Sequence, residues 1–264
     1  MSTHARSYVS SYGFGLKSVD QILQQAAMLG LKDIEWTAGT ERVGNLDTVL
    51  PAACDQGFNF LTHNYFPPPE TPFVLNTSAA ESQDQQVLMD FVEQGLTLAQ
   101  LVGAPCHSVH AGFAFSVSPD ALGNGLSLAE QARKAPMDRE QAVEQMVDNC
   151  QVLADRAADL DLALLIENNV LAPELYGELG YNPLLGVTAD ELLTIISAIN
   201  RPNVGLLLDV AHLKVSGQTL GFDCIDAIER LAPVMHALHL SDNDGSRDNN
   251  RPFDQDAWFM PLLT

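Results

Sequence analysis

The sequence predicts an α/β protein that folds as a (β/α)8 barrel in a single domain of residues 1–264. Short β-like apolar runs alternate with amphipathic helical segments, which is the pattern of repeated β-α units around a parallel sheet. The length of 264 residues is close to that of one such barrel. No GxGxxG follows an early strand and no Walker loop is present, so a doubly wound nucleotide-binding sheet is the weaker interpretation.

The pattern contains seven of the eight strands that a closed barrel needs. The first predicted strand lies inside residues 8–14. The others cover residues 33–37, 58–63, 106–110, 162–166, 204–208 and 235–240. Residues 162–166 (LALLI) form an almost unbroken apolar run, which is typical of a parallel strand covered on both faces. Because the chain stops inside what should be the seventh helix, we expect a C-terminally truncated barrel that lacks its eighth strand.

The helices between the strands are predicted by apolar residues three and four positions apart. Ser18 with Gln21, and Thr188 with Glu191, form capping-box patterns at two helix starts. The predicted helical segments include residues 18–29, 46–56, 87–102, 143–157, 188–199, 223–231 and 254–263.

Two longer loops are predicted at the carboxyl ends of strands. Residues 111–136 follow the fourth strand, and residues 168–187 follow the fifth. Barrel enzymes carry their active sites on this face, so we expect the site here.

A polar residue ends each of five consecutive predicted strands, and all five would point into one mouth of the barrel. These residues are His63, His110, Glu167, Asp209 and His239. Buried carboxylates are unfavourable without partners, and a divalent cation satisfies imidazoles and carboxylates together. This mixed set of nitrogen and oxygen donors suits Mn, Co, Zn or Fe better than Ca. Of the other histidines, three are interpreted as structural: His4, His107 and His236.

Composition excludes several classes of protein. With 13 Lys+Arg against 34 Asp+Glu, the formal net charge is −21, which disfavours binding to a nucleic-acid backbone. The four cysteines are widely spaced without a CxxC motif, as expected for thiols in a reducing cytoplasm. No apolar run is long enough for a membrane span, and the N-terminal residues lack a signal-peptide pattern. We therefore expect a cytoplasmic protein. The sequence does not determine its oligomeric state, and a homo-oligomer is among the alternatives.

Several segments of the chain carry a family resemblance. LTHNYFPPP, SVHAGF, LLIENN, GLLLDVAHLKVSG and HALHLSDNDG resemble the xylose isomerase-like barrel superfamily. That group includes sugar-phosphate isomerases and epimerases and the barrel-type apurinic endonucleases. The resemblance covers most of the chain, and the IEN and LDxxH elements are its most specific parts.

The resemblance also implies ligands for a metal. In the isomerase and epimerase branch, one divalent ion (Mn, Co, Zn or Mg) would be held by Glu167, Asp209 and His239, with a fourth ligand, a glutamate, expected beyond Thr264. In the endonuclease branch, His63, His110 and His212 would match further zinc ligands. That branch has Asp-x-His after the seventh strand, where this sequence has Asp248, Asn249 and Asn250.

The first functional hypothesis is a sugar or sugar-phosphate isomerase or epimerase that uses enediolate-type proton transfer. Glu167, or its partner from strand eight, would be the catalytic base, and His212 would hydrogen-bond a substrate oxygen. The other residues expected to bind substrate are His63, His110, Lys214 and Arg247. For the two histidines, binding of a second metal is the alternative. Only a few cationic side chains are expected near the predicted mouth, namely Arg133, Lys134, Lys214, Arg247 and Arg251. Lys214 has the alternative interpretation of a solvated residue at the start of the sixth helix. Arg247 and Arg251 have the alternative of balancing surface carboxylates, namely Asp244, Asp248 and Asp254.

Two further hypotheses come from other classes. A metal-dependent phosphodiesterase of the apurinic endonuclease type is supported by the additional histidines and disfavoured by the acidic charge. A noncatalytic metal- or sugar-binding barrel would lack the second glutamate. The sequence leaves open the sugar, its phosphorylation and the identity and number of the metal ions.

Overall fold

A curled parallel sheet of seven strands forms the centre of the computed structural model, which describes residues 5–15, 17–41, 44–80 and 82–262. The strands of the described residues are β1 (Val9–Ser10), β2 (Lys17–Ser18), β3 (Asp33–Trp36), β4 (Thr40–Glu41), β5 (Asn59–His63), β6 (Cys106–His110), β7 (Ala163–Glu167), β8 (Val204–Asp209) and β9 (Met235–His239). The sheet has the order β1-β3-β5-β6-β7-β8-β9, and each neighbouring pair is parallel. The predicted α/β barrel class is confirmed, with a seven-stranded half-barrel in the described part of the chain.

Helices connect successive strands and cover the outer face of the sheet. They are α1 (Val19–Met28), α2 (Leu46–Cys54), α3 (Ser82–Leu101), α4 (Gly125–Lys134), α5 (Arg139–Asp159), α6 (Pro173–Leu179), α7 (Ala189–Ile199), α8 (Val210–Leu220) and α9 (Cys224–Leu231). Ser18 caps α1 in a complete capping box with Gln21, as predicted. Thr188 caps α7, but the predicted capping box is incomplete. The Glu191 carboxylate accepts hydrogen bonds from the Gly186 and Val187 amides and not from the Thr188 amide. Within the described residues, no helix combines the length and apolar character that crossing a membrane requires.

Three predicted segments differ from the structure. The two longer loops contain helices, α4 in residues 111–136 and α6 in residues 168–187. The predicted helix 254–263 is instead a series of turns ending in a short 3-10 helix, Met260–Leu262. The Asp254 carboxylate accepts a hydrogen bond from the Asp256 amide, a turn that competes with helix formation, and Pro261 lacks an amide proton. Residue 263 and His4 lie outside the described residues.

Successive side chains of a strand point alternately to the helices and to the barrel interior. On β7, Leu164 and Ile166 belong to the core beneath the helices, and Glu167 faces the barrel interior. On β8, Leu208 packs in a second core beneath the helices, and Asp209 faces the interior. Because side chains alternate along a strand, a polar residue at each strand end reaches the same interior mouth.

His107 has the structural role expected of it. Its ring lies on the helix-facing side of β6, is 1% exposed, and pairs through Nδ1 with the Thr62 hydroxyl at 2.8 Å. Burial lowers the pKa of His107 to about 3, so this ring is a neutral core residue at neutral pH. Gly95 of α3 packs directly over the ring.

We predict that Gly95→Ala destabilises the fold by about 1–3 kcal/mol, because a Cβ there would lie 2.6 Å from His107 Cε1. The matched control is Gly177→Ala in α6, where no atom lies within 4 Å of the added Cβ. That variant should be as stable as the wild type or more stable by about 0.5–1 kcal/mol. Urea unfolding measures both, and a Gly95→Ala protein of unchanged stability would contradict this packing.

Candidate metal centre

Eight ionisable side chains converge at the carboxyl ends of the central strands. They are Glu35, His63, His110, Glu167, Asp209, His212, His239 and Asp248. All five strand-end residues predicted from the sequence are among them. The cluster therefore contains both kinds of donor, imidazole nitrogen and carboxylate oxygen, that divalent transition metals bind.

Glu167 lies at the centre of this cluster and is 1% exposed. Its Oε2 is 3.2 Å from Nε2 of both His63 and His110, and its Oε1 is 3.0 Å from Nδ1 of His239. Burial alone raises the pKa of Glu167, but the three imidazoles outweigh burial and hold that pKa well below its usual range. Glu167 is therefore an ionised, almost fully buried carboxylate at neutral pH.

Asp209 is both a helix cap and a member of the cluster. Its Oδ1 accepts hydrogen bonds from the amides of Ala211 and His212 at the start of α8, while Oδ2 lies 3.7 Å from His239 Nδ1. The side chain of Asn168 holds the Asp209 backbone in place, accepting from its N–H at 2.7 Å and donating to its carbonyl at 3.1 Å. Burial raises the pKa of Asp209, an effect to which the charge of Glu167 adds.

His63 and His110 face Glu167 from neighbouring strands, with ring centroids 5.4 Å apart. Burial lowers the pKa of His63 to about 4 and also lowers the pKa of His110. The Nδ1 of His63 is hydrogen-bonded to the Ser108 hydroxyl at 2.9 Å, so its Nε2 is the nitrogen that faces Glu167. Both rings are neutral at neutral pH, the state in which imidazole binds metals.

His212 and His239 differ from that pair because each lies between carboxylates. His212 bonds the Asn168 carbonyl through Nδ1 at 2.9 Å and Asp248 Oδ2 through Nε2 at 3.3 Å. Burial lowers the pKa of His212, but the charges of Asp209 and Asp248 outweigh it and raise the pKa to about 10. The pKa of His239 is likewise raised well above its usual value, because two neighbouring glutamates outweigh burial.

Three sets of side chains place their ligand atoms within 4.8 Å of one another. They are Glu167 with Asp209 and His239, His63 with His110 and Glu167, and Glu35 with His63 and His239. The first is the set predicted from the sequence. Glu167 Oε2 is buried and has no hydrogen-bond partner, since neither neighbouring imidazole has hydrogen-bond geometry to it. A buried carboxylate oxygen without a hydrogen bond fits a divalent cation, so the residues present are suited to a metal.

Two predicted substrate-binding residues lie outside the cluster. The ammonium of Lys214 bonds Asp242 Oδ1 and the Asn243 carbonyl, both at 2.6 Å. Arg247 is exposed in the loop after β9. Arg251, in the same loop, pairs with Asp244 at 2.6 Å.

Sequence reasoning missed Glu35 and the positioning function of Asn168. Glu35 is 9% exposed and lies 3.0 Å from His239 Nε2. The signal for it was an acidic residue between Ile34 and Trp36 in an apolar strand, which alternation places on the interior face. No local pattern marks the pairing of the Asn168 side chain with the Asp209 backbone, since the two residues are 41 positions apart.

Comparisons with known proteins agree with this fold. The family model for the xylose isomerase-like TIM barrel matches residues 23–262. Among solved structures, a 3-keto-D-glucoside 4-epimerase from E. coli has 13% identity and a TM-score of 0.67, covering 97% of this chain and 86% of that one. An L-ribulose 3-epimerase has 16% identity and a TM-score of 0.66, covering 98% and 77%. A D-tagatose 3-epimerase-like protein has 16% identity and a TM-score of 0.65, covering 92% and 78%. These identities establish a shared fold alone, and no curated protein matches the chain in sequence.

We predict that Glu167→Gln weakens Zn²⁺ or Mn²⁺ binding by about 100-fold or more, because loss of an outer partner of a ligand alone costs about 10–100-fold. His236→Gln is the matched control, since His236 is an exposed imidazole on β9, the strand that carries His239. Calorimetry together with metal analysis after dialysis measures both affinity and stoichiometry. Wild-type affinity in Glu167→Gln would show that the ion binds elsewhere.

Proposed function

Because the chain belongs to the xylose isomerase-like TIM barrel family, we propose that it is a metal-dependent sugar isomerase or epimerase. The observation that carries the proposal is the convergence of Glu167, Asp209 and His239, with ligand atoms within 4.8 Å, at the carboxyl ends of three consecutive strands. The epimerases of similar fold support the proposed reaction class. When bound, a divalent ion supplies Lewis-acid polarisation of neighbouring carbonyl and hydroxyl oxygens.

Different side chains of the cluster serve as the base and as the hydrogen-bond donor. Glu167 is ionised and buried, so it accepts the proton from the carbon beside the substrate carbonyl. His212 has a raised pKa, and its Nε2–H, which bonds Asp248 in the structure, would donate to a substrate oxygen that takes the place of the Asp248 carboxylate. Asn168 fixes the position of His212 relative to Glu167. It follows Glu167 directly in the sequence, and its backbone carbonyl accepts a hydrogen bond from His212 Nδ1.

The substrate we favour is a neutral sugar. The cations named near the mouth are largely paired with carboxylates within the described residues: Lys214 with Asp242, Arg251 with Asp244, Arg133 with Glu178 and Lys134 with Glu130. A phosphate would need a free guanidinium or ammonium group, and Arg247 is the exposed candidate. Carboxylate, amide and imidazole groups suit hydroxyl groups instead.

A second candidate is a metal-dependent phosphodiesterase, favoured by the second ligand set of His63, His110 and Glu167 beside the first. Two ions that share a carboxylate are a common arrangement for phosphate-ester cleavage. The formal charge of −21 disfavours a nucleic-acid substrate, so this function ranks below the first.

The reaction class is tested by solvent exchange. The metal-supplemented protein in D₂O should incorporate deuterium beside the carbonyl of at least one sugar in a panel of free ketoses and keto-glycosides. Glu167→Gln should reduce the rate by about 10²–10⁴-fold, the usual contribution of a general base, while His236→Gln should match the wild type. Cleavage of an abasic-site duplex without any sugar exchange would instead support the phosphodiesterase.

The preference for a neutral sugar makes a separate prediction. The kcat/KM for a free ketose should exceed that for its phosphate, and Arg247→Ala should leave that ratio within about 2-fold, because no phosphate contact is lost. Arg133→Ala, which removes a cation paired with Glu178, is the matched control. A phosphate preference that Arg247→Ala abolishes would assign Arg247 to an anion site and reverse the conclusion.

A further inference from the structure

Glu35 and His239 meet across the interior of the half-barrel. They come from β3 and β9, which are not neighbours in the sheet, and they are 204 residues apart in the sequence. Both carboxylate oxygens of Glu35 lie 3.0 Å from His239 Nε2. The other ring nitrogen, Nδ1, faces Glu167 Oε1 at 3.0 Å and Asp209 Oδ2 at 3.7 Å.

The two ring nitrogens of His239 therefore have different partners. Both carboxylate oxygens of Glu35 lie at hydrogen-bond distance from Nε2, and carboxylate oxygens accept hydrogen bonds, so Nε2 is the nitrogen placed to donate. A metal needs a nitrogen lone pair, which leaves Nδ1, the nitrogen that already faces the two carboxylates of the ligand set. We propose that Glu35 is a positioning residue that fixes His239 with Nε2–H towards Glu35 and Nδ1 towards the metal. This inference rests on the proposed metal centre and adds a residue to it.

The packing around His239 explains why such a partner is needed. The His239 side chain is 23% exposed, whereas the Glu167 side chain is 1% exposed. In the described part of the chain, β9 pairs with β8 on one side only, and the register shifts between Leu206 and Leu207. A ring on such a strand is held less firmly by packing, and a carboxylate on its far nitrogen restricts its rotation.

The wild-type protein provides the first test. In Zn²⁺-loaded protein labelled with ¹⁵N-histidine, NMR correlations between ring nitrogens and ring protons identify the protonated and the metal-bound nitrogen of His239, assigned by comparison with His239→Gln. We expect a protonated Nε2 with a slowly exchanging proton, and a metal-bound Nδ1. Metal binding through Nε2 would overturn the inference whatever reaction the protein catalyses.

Variants of Glu35 provide the second test, read as Zn²⁺ and Mn²⁺ dissociation constants. Glu35→Ala should weaken binding by about 10–100-fold, and Glu35→Gln, which keeps a hydrogen-bond acceptor of the same shape, should recover most of that loss. Asp33→Asn on the same strand is the matched control and should bind as the wild type does. Unchanged or tighter binding by both Glu35 variants would overturn the inference. A wild-type protein that binds neither ion would instead refute the proposed function, so the two failures are distinguishable.

Discussion

A nearly inaccessible carboxylate, Glu167, sits where the ends of the central strands meet, and the arrangement around it follows from the cost of burying that charge. A buried ionised carboxylate is tolerated only with compensating partners. The chain supplies His63, His110 and His239 on three sides, yet Oε2 still has no hydrogen bond. A divalent cation would complete the compensation that the imidazoles begin, so the proposed metal and the buried charge of Glu167 have one physical origin.

Rigid elements hold the groups around Glu167. Glu167 itself ends a strand whose other face is buried against helices, and Asp209 is fixed twice, as the cap of α8 and through the Asn168 side chain. Asn169, the next residue, donates to the carbonyls of Ala111, Gly112 and Leu185, which ties both long loops to the same corner. The proposed proton transfer would need its acid and base held in a fixed geometry, and these contacts restrain the residues that carry them.

The part of this site that the sequence predicts is the part governed by alternation and chain order. A polar residue ending an apolar strand, as in His63, His110 or Glu167, must face the interior mouth because its neighbours face the helices. The helices inside the two long loops do not follow from the barrel pattern, because their apolar residues, such as Leu128 of α4 and Leu175 of α6, belong to a separate small core. Contacts between distant residues, such as Glu35 with His239, depend on curvature of the whole sheet, which no local pattern encodes.

In the proposed metal centre, imidazole and carboxylate groups from consecutive strand ends share one divalent ion. X-ray absorption spectroscopy of the protein loaded with one equivalent of Zn²⁺ reports the atoms bound to that ion. We expect nitrogen and oxygen donors at about 2.0–2.2 Å, a scattering pattern that shows at least one imidazole, and loss of that pattern in His239→Gln. An ion coordinated by oxygen alone, or a spectrum that His239→Gln leaves unchanged, would contradict a metal centre that includes His239.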